Sequence, residues 1–380
     1  MDTALRAEAI VDLAAIRHNV AALRERAKSA AVMAVVKADG YGHGLVASAR
    51  AAVAGGATWL GVANVEEALA LRAAGLTSPR ILSWLAAPGE RWSDALAAGV
   101  DVAAYSTAQL AEIAEAAASR GTTARVHLKV DTGLSRGGAA ARDWPALVDA
   151  ALSAQADGTV TITGIWSHFA CADEPGHPSI QRQLAAFADA LAFAERAGAR
   201  PEVRHLANSA GLLAVPESRY DLVRPGIAVY GLSPVRGLSD ADAGLVPAMT
   251  LRARLALVKR VPAGAGVSYG HRYVTARETT LGLVPLGYAD GVPRAASNVG
   301  PVLVGGRRRR IAGTVCMDQF VLDLGDDPGA AGDEVVLFGP GTSGEPTAHD
   351  WAEATGTISY EIVTRIGSRV PRRYEGEEAG

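Results

Sequence analysis

Val32-Met33-Ala34-Val35-Val36-Lys37-Ala38-Asp39-Gly40-Tyr41-Gly42-His43-Gly44 is the stretch on which the reading of this chain turns. The apolar run Val32 to Val36 reads as a strand that ends on one lysine, and a glycine-rich turn carrying a tyrosine follows at once. A lysine held at the dry end of a strand has a depressed pKa, because burial disfavours the ammonium form. The neutral amine is the species that condenses with an aldehyde to give a Schiff base. The glycines allow a sharp turn and leave Tyr41 free to point back to the same end of the strand. A surface lysine closing a β-α unit would fit the same letters, so the rest of the chain has to decide.

Working outward, strand-like runs recur at Val32–Lys37, Trp59–Ala63, Arg80–Leu85, Val100–Tyr105, Arg125–Val130, Val160–Ser167, Glu202–Leu206 and Asp221–Tyr230. Helical patterns lie between them, among them Leu45–Val53, Val65–Ala74, Ser106–Ser119 and Ile180–Ala197. Ahead of the first strand, Leu13, Ile16, Val20 and Leu23 fall on one helical face behind Asp12 as N-cap. Alternation of this kind demands parallel strands with right-handed crossovers. Eight units fit a closed α/β barrel of the TIM type better than an open sheet. After Tyr230 the chain runs through a glycine, proline and aspartate-rich linker to Pro247, and then turns β-rich. Runs at Leu251–Val261, Thr280–Leu286, Val302–Val304, Ile311–Leu324 and Glu334–Phe338 precede a helix at His349–Thr355 and a last strand-like piece at Ile358–Ile366. The expectation is an α/β barrel domain over residues 10–235 and a mainly β C-terminal domain over 236–380, with residues 1–9 packing on the latter.

Composition narrows the function. The net charge of −3 argues against nucleic acid or an anionic membrane as partner. The four arginines Arg307–Arg310 follow Gly305-Gly306 between β-like runs and read as a solvated hairpin tip. Two cysteines, Cys171 and Cys316, make no disulfide scaffold. The basic, discontinuous first thirty residues show no signal peptide, and no run is long enough to span a bilayer. A cytoplasmic location is expected.

In a barrel of this kind chemistry sits at the carboxyl ends of the strands. Those ends carry Lys37 and Tyr41, then Lys129 to Arg136, then Ser167-His168, then His205-Leu206-Ala207-Asn208-Ser209, and finally Arg224-Pro225-Gly226-Ile227. Ser209, Gly226 and Ile227 follow the seventh and eighth strands, where barrels hold a phosphate with backbone N–H groups and a hydroxyl. A phosphate site and a Schiff-base lysine in one mouth point to pyridoxal phosphate.

The chain resembles the alanine racemases, two-domain pyridoxal-phosphate enzymes, over essentially its whole length. The resemblance rests on Val36 to Gly44, Lys129-Val130-Asp131-Thr132-Gly133-Leu134-Ser135-Arg136, His205 to Ala210 and Arg224-Pro225-Gly226. In the second half it rests on Val267-Ser268-Tyr269-Gly270, Gly287-Tyr288-Ala289-Asp290-Gly291, Gly313 to Gln319 and Ser359-Tyr360-Glu361. It implies that Lys37 binds the cofactor and serves as one of two acid/base groups at the substrate α-carbon, with Tyr269 as the other. His168 would contact Tyr269, and Arg224 would contact His168 and face the pyridine nitrogen, where an arginine cannot accept the proton that a carboxylate would share. Arg136 would reach the cofactor's phenolic oxygen and the substrate carboxylate, oriented by a carbamylated Lys129. Tyr41, Asn208, Ser209, Gly226, Ile227 and Tyr360 would complete the cofactor site. Tyr288, Met317 and Asp318 would meet the substrate. Because Tyr269, Tyr288, Met317 and Asp318 belong to the second domain, the resemblance implies a homodimer whose sites are completed in trans, with D-alanine for peptidoglycan as the product.

Three other readings are weighed against this one. His168, Cys171 and His177 lie close in sequence, but a proline and glycine-rich turn intervenes and no paired-histidine strand end appears, so no metal is expected. A non-catalytic pyridoxal-phosphate carrier would have the barrel lysine without the Tyr269 motif. A broader amino acid racemase acting on serine as well differs by interactions worth only about 1–3 kcal/mol.

Overall fold

The computed structural model describes residues 5–376, which divide into two compact units. One comprises residues 16–40 and 45–245. The other comprises residues up to 15, residues 41–44 and the chain from 246 onward.

The first unit is an eight-stranded parallel sheet, nearly closed into a barrel. Its strands are Ala31–Val35, Trp59–Val62, Arg80–Ser83, Asp101–Ala104, Ala124–Lys129, Val160–Trp166, Val203–His205 and Leu222–Val223, each beside the next in chain order. The eighth strand returns to the first, with Leu222 opposite Ala31 and Val223 opposite Val32. Between the seventh and eighth strands, Asp221 N–H donates to Arg204 O at 3.1 Å and Arg224 N–H to Ala207 O at 2.9 Å. The Asp221 carboxylate also accepts from Arg204 N and Nε. Met33, Trp59, Leu82 and Leu222 fill one level of the interior. Helix entries and exits follow the local sequence. Asn64 and Ser106 accept the N3 N–H of their helices, at Glu67 and Gln109, and Gly121 and Gly198 end theirs with positive φ.

Two expectations for this unit change. The strand expected over Asp221–Tyr230 stops at Val223, because Pro225 has no N–H for a ladder, and Ile227–Tyr230 turns into a 3-10 helix. Lys37 also lies two residues beyond its strand rather than on it.

In the other unit a six-stranded sheet contains Ala7–Asp12, Met249–Arg254, Pro301–Val304, Arg307–Arg310, Glu334–Phe338 and Arg372–Glu375. A second sheet holds Leu257–Val261, Thr279–Val284 and Phe320–Gly325. Ala7–Asp12 runs antiparallel to Met249–Arg254 and parallel to Arg372–Glu375. Residues 1–4 and 377–380 of the expected second domain lie outside the described residues.

Four expectations here are corrected. The run Leu251–Val261 is two strands in different sheets. Within Ile311–Leu324, only an isolated bridge at Ile311 and the strand from Phe320 are β; Gly313 turns left-handed where a Cβ would lie 2.6 Å from Val267 O. Ile358–Ile366 contains a helix, Ser359–Thr364, whose Ile362 and Val363 are buried. Its apolar residues recur at helical spacing, and burial outweighs their β propensity. The arginines Arg307–Arg310 form a strand, with Gly305-Gly306 as the hairpin tip.

Candidate active site

Lys37 is presented by an unusual piece of backbone. Ala38, Asp39, Gly40 and Tyr41 all have φ between 52° and 60°, a left-handed turn in which only one residue is glycine. Each non-glycine residue there costs about 1–2 kcal/mol, so the surroundings must hold the turn. Gly40 N–H donates to Val36 O at 2.8 Å, and the Asp39 carboxylate accepts from Leu45 N–H at 2.8 Å. Glu67, in the helix after the second strand, accepts from Ala38 N–H at 2.6 Å and from Ala63 N–H at 2.9 Å. A Cβ at position 40 would lie 2.7 Å from Ser48 Oγ and 3.1 Å from Ser48 Cβ, so the glycine leaves room for that side chain.

Lys37 Nζ lies 5.9 Å from the centroid of the Trp84 ring. Burial and the Arg136 guanidinium hold its amine below the ordinary lysine value, against the opposing pull of Glu67. Lys129 ends the fifth strand, with Nζ 4.5 Å from the Trp166 ring and 4.7 Å from the Tyr105 ring. Burial, then Arg224 and Arg136, push it down to about 8. Arg136 sits in a loop whose ends pair at Val130 and Ala139 and whose bend is tied by Asp131, which accepts from Gly133 and Ser135 N–H. Thr132 Oγ1 joins Ser167 Oγ at 2.8 Å, and Gln183 donates to both Thr132 Oγ1 and His168 O.

Arg224, just past the eighth strand, is buried and donates to Ser167 O at 2.8 Å and Leu206 O at 3.2 Å. Its guanidinium also meets His168 Nδ1 at 3.3 Å and His205 Nδ1 at 2.8 Å. An arginine donates only, so both imidazole nitrogens accept. Burial and Arg224 hold His168 well below its ordinary value, which keeps it neutral. Burial lowers Arg224 itself to about 9. Ser209 Oγ accepts from Gly226 N–H at 2.8 Å and Ala228 N–H at 3.3 Å, and Asn208 caps the short helix beginning at Ser209 by accepting from Gly211 N–H. Ile227 is buried in the same loop.

The barrel unit thus brings together Lys37, Lys129, Arg136, His168 and Arg224, and separately assembles Asn208, Ser209, Gly226 and Ile227. In the other unit the Tyr41 and Tyr360 rings are 6.2 Å apart, and burial followed by Tyr360 raises the Tyr41 phenol. There too, loops carrying Tyr269, Tyr288, Met317 and Asp318 are laced to one another. Tyr288 and Ala289 N–H donate to Cys316 and Met317 O, and Ser268 Oγ donates to Thr314 O. A Cβ on Gly287 would strike those same two carbonyls at 2.3 Å. Tyr269 is 75% exposed, Met317 53% and Tyr288 40%, a concentration of large side chains that a monomer seldom leaves in water. Asp318 pairs with Arg369 at 2.8 Å.

Glu67, Trp84, Tyr105 and Trp166 escaped the sequence reading. The three aromatics stand at or just past the ends of the third, fourth and sixth strands, so the rule that located Lys129 would have found them. Glu67 gave no such signal, since its role depends on where a helix is set down.

The donor set fits pyridoxal phosphate: an amine held toward neutrality, a hydroxyl braced by two loop N–H groups, and a buried guanidinium that takes no proton.

The family model described as "Alanine racemase, N-terminal domain" matches residues 11–234, and "Alanine racemase, C-terminal domain" matches 248–374. Alanine racemase of Frankia casuarinae is 64% identical, covering 97% of this chain and 96% of its own. That of Streptomyces coelicolor is 61% identical, covering 99% and 97%. The crystal structure of alanine racemase from D-cycloserine producing Streptomyces lavendulae superposes with a TM-score of 0.98 at 60% identity, covering 99% of this chain and 98% of that one. The chain belongs to the alanine racemase family, a family of isomerases.

Proposed function

We propose that this member of the alanine racemase family interconverts L-alanine and D-alanine, with pyridoxal phosphate held on Lys37 and with Lys37 and Tyr269 exchanging the α-proton. The observation that carries the reading is Lys37 itself, an amine lowered by burial on a turn that costs conformational energy to hold. When bound, pyridoxal phosphate draws electrons from the α-carbon of an amino acid and acidifies its hydrogen. Ser209, with Gly226 and Ile227, would hold the phosphate, Tyr41 and Tyr360 adding to that end and Asn208 bracing the loop. Arg224 would face the pyridine nitrogen as a pure donor, and neutral His168 would hand its remaining N–H toward Tyr269.

Arg136 would receive the substrate carboxylate. Lys129 near 8 offers the neutral amine that carbon dioxide needs to form a carbamate. Racemisation requires two proton-transfer groups, and a tyrosine with an ordinary pKa near 10 needs cationic or donor neighbours to act as a base. The exposure of Tyr269, Tyr288 and Met317 supports their delivery, with Asp318, to the site of a second copy in a homodimer. In this division of labour residues 10–235 hold the cofactor and 236–380 supply the second base. Cytoplasmic synthesis of D-alanine for peptidoglycan is the corresponding role. No described helix is long and apolar enough to cross a membrane.

The test is the visible spectrum of the purified protein before and after borohydride, with peptide mass locating the reduced adduct, and turnover of L-alanine in the same preparation. A borohydride-sensitive band, a label on Lys37 and D-alanine formation are expected. Mixing Lys37→Ala with Tyr269→Phe should restore activity in heterodimers carrying one intact site. A colourless protein that takes up no cofactor would overturn the reading.

A further inference from the structure

The interior of this barrel carries a polar chain that the proposed chemistry does not use. Asp101, His127 and His205 stand on the fourth, fifth and seventh strands and are all buried. Asp101 Oδ2 lies 3.3 Å from His127 Nε2, His127 Nδ1 lies 2.9 Å from His205 Nε2, and His205 Nδ1 lies 2.8 Å from Arg224 Nη1. The chain is fixed in space as well. The Trp166 ring stacks on His205 with an interplanar angle of 8°, and Trp59 and His205 each meet the His127 ring near-perpendicularly. Gly164, beside His127 on the sixth strand, is the residue that makes room: a Cβ there would lie 2.2 Å from His127 Nδ1.

The hydrogen positions follow from both ends. Arg224 can only donate, so His205 Nδ1 must accept and its proton sits on Nε2. That proton points at His127 Nδ1, which must then accept, leaving the His127 proton on Nε2 toward Asp101. From the other end a carboxylate can only accept, which again places the His127 proton on Nε2. Both ends of the chain therefore demand the same tautomers, and an extra proton on either ring would set two N–H groups against each other. Burial and Arg224 keep His205 well below its ordinary value. Asp101 is itself held by Arg125 at 3.0 Å, which also binds Glu202, so its second oxygen is aimed at the relay.

We infer that Asp101 and His127 are positioning residues, which fix the His205 tautomer and thereby keep Arg224 an oriented donor at the cofactor ring. The catalytic consequence rests on the pyridoxal phosphate reading above, whereas the relay itself does not. Asp101→Asn is nearly isosteric but holds an NH2 on one side. If that group faces His127, the ring must accept at Nε2 and its proton moves to Nδ1. The reversal then passes to His205 and ends in two donors, His205 Nδ1–H and Arg224, pointing at each other.

The first experiment uses the cofactor-free full-length protein, with 15N-labelled histidine side chains observed by NMR. In the wild type, His127 and His205 should both be neutral with the proton on Nε2. Asp101→Asn should move the His127 proton to Nδ1. In the holoenzyme, Asp101→Asn and His127→Gln should each lower kcat about tenfold with little change in KM, the low end of what losing an outer partner costs at metal-bound imidazoles. The ratio of cofactor conversion to its amine form, followed spectroscopically, to racemisation should rise, because a misaligned Arg224 no longer guards the ring nitrogen.

A wild-type His205 carrying its proton on Nδ1 would overturn the inference. So would an Asp101→Asn protein with unchanged tautomers and an unchanged ratio. A wild-type holoenzyme that binds the cofactor without racemising alanine would instead sink the functional reading and leave the tautomer result standing.

Discussion

Gly164→Ala is the substitution whose consequence follows most directly from the geometry. The added methyl carbon would lie 2.2 Å from His127 Nδ1 and 2.8 Å from Cγ and Cε1, so the ring must retreat by about 1 Å to reach ordinary contact. It has nowhere to go, since Trp59 packs edge-on against it and both nitrogens are bonded, at 2.9 Å to His205 and 3.3 Å to Asp101. A shift of that size breaks at least one of those bonds and leaves a buried donor or acceptor unpaired, at about 1–3 kcal/mol. Overpacking adds about 1–3 kcal/mol. The expected loss is therefore about 2–6 kcal/mol, a large part of the roughly 5–15 kcal/mol a domain possesses.

Urea unfolding of the cofactor-free protein measures it, at one fixed protein concentration because ligand and self-association both shift apparent stability. Tryptophan fluorescence reports mainly the barrel, which holds every tryptophan except Trp351. His127→Ala in the same chain should relieve the clash, so the double variant should lose at least about 1 kcal/mol less than the sum of the singles. A destabilisation of Gly164→Ala below about 0.5 kcal/mol, or strict additivity with His127→Ala, would refute the packing argument.

Two further outcomes follow from the site. Glu67→Gln removes the charge that supports the Lys37 ammonium and turns an NH2 toward either Ala38 or Ala63 N–H, so Lys37 should titrate at lower pH and the turn should weaken by about 1–3 kcal/mol. Labelling of Lys37 by an amine-reactive reagent across pH, read by peptide mass in the cofactor-free protein, checks the first effect, and an unchanged or higher midpoint would contradict it. For Lys129 the folded value is about 8 and the ordinary one 10.5. In bicarbonate, carbamate detected by 13C NMR should therefore rise as pH passes through about 8. Without bicarbonate the unfolded chain keeps its proton to higher pH than the folded one, so this group's contribution to stability should increase between about pH 8 and 10.5. A carbamate signal that appears only near pH 10.5 would show that burial does not lower this lysine.

The barrel, the β-rich second half and the strand-end positions of Lys37, Lys129, His168, Ser209 and Arg224 are legible in the letters alone, because alternating apolar runs and polar strand ends are local signals written in consecutive residues. The letters mislead at Asp221–Tyr230 and Ile358–Ile366, where β-branched residues look alike in a strand, a 3-10 turn or a short buried helix, and burial chooses among them. Tertiary structure alone decided the rest. The left-handed turn under Lys37 opposes the preferences of Ala38 and Asp39 and exists because Glu67 and Leu45 hold it. Asp101, His127 and His205 are 26 and 78 residues apart in sequence, and only closure of the barrel, with Gly164 leaving space, lines their nitrogens and oxygen up toward Arg224. Periodicity reports which side of a strand faces inward. It carries no record of which inward side chains from distant strands will meet, because that is settled by register and packing.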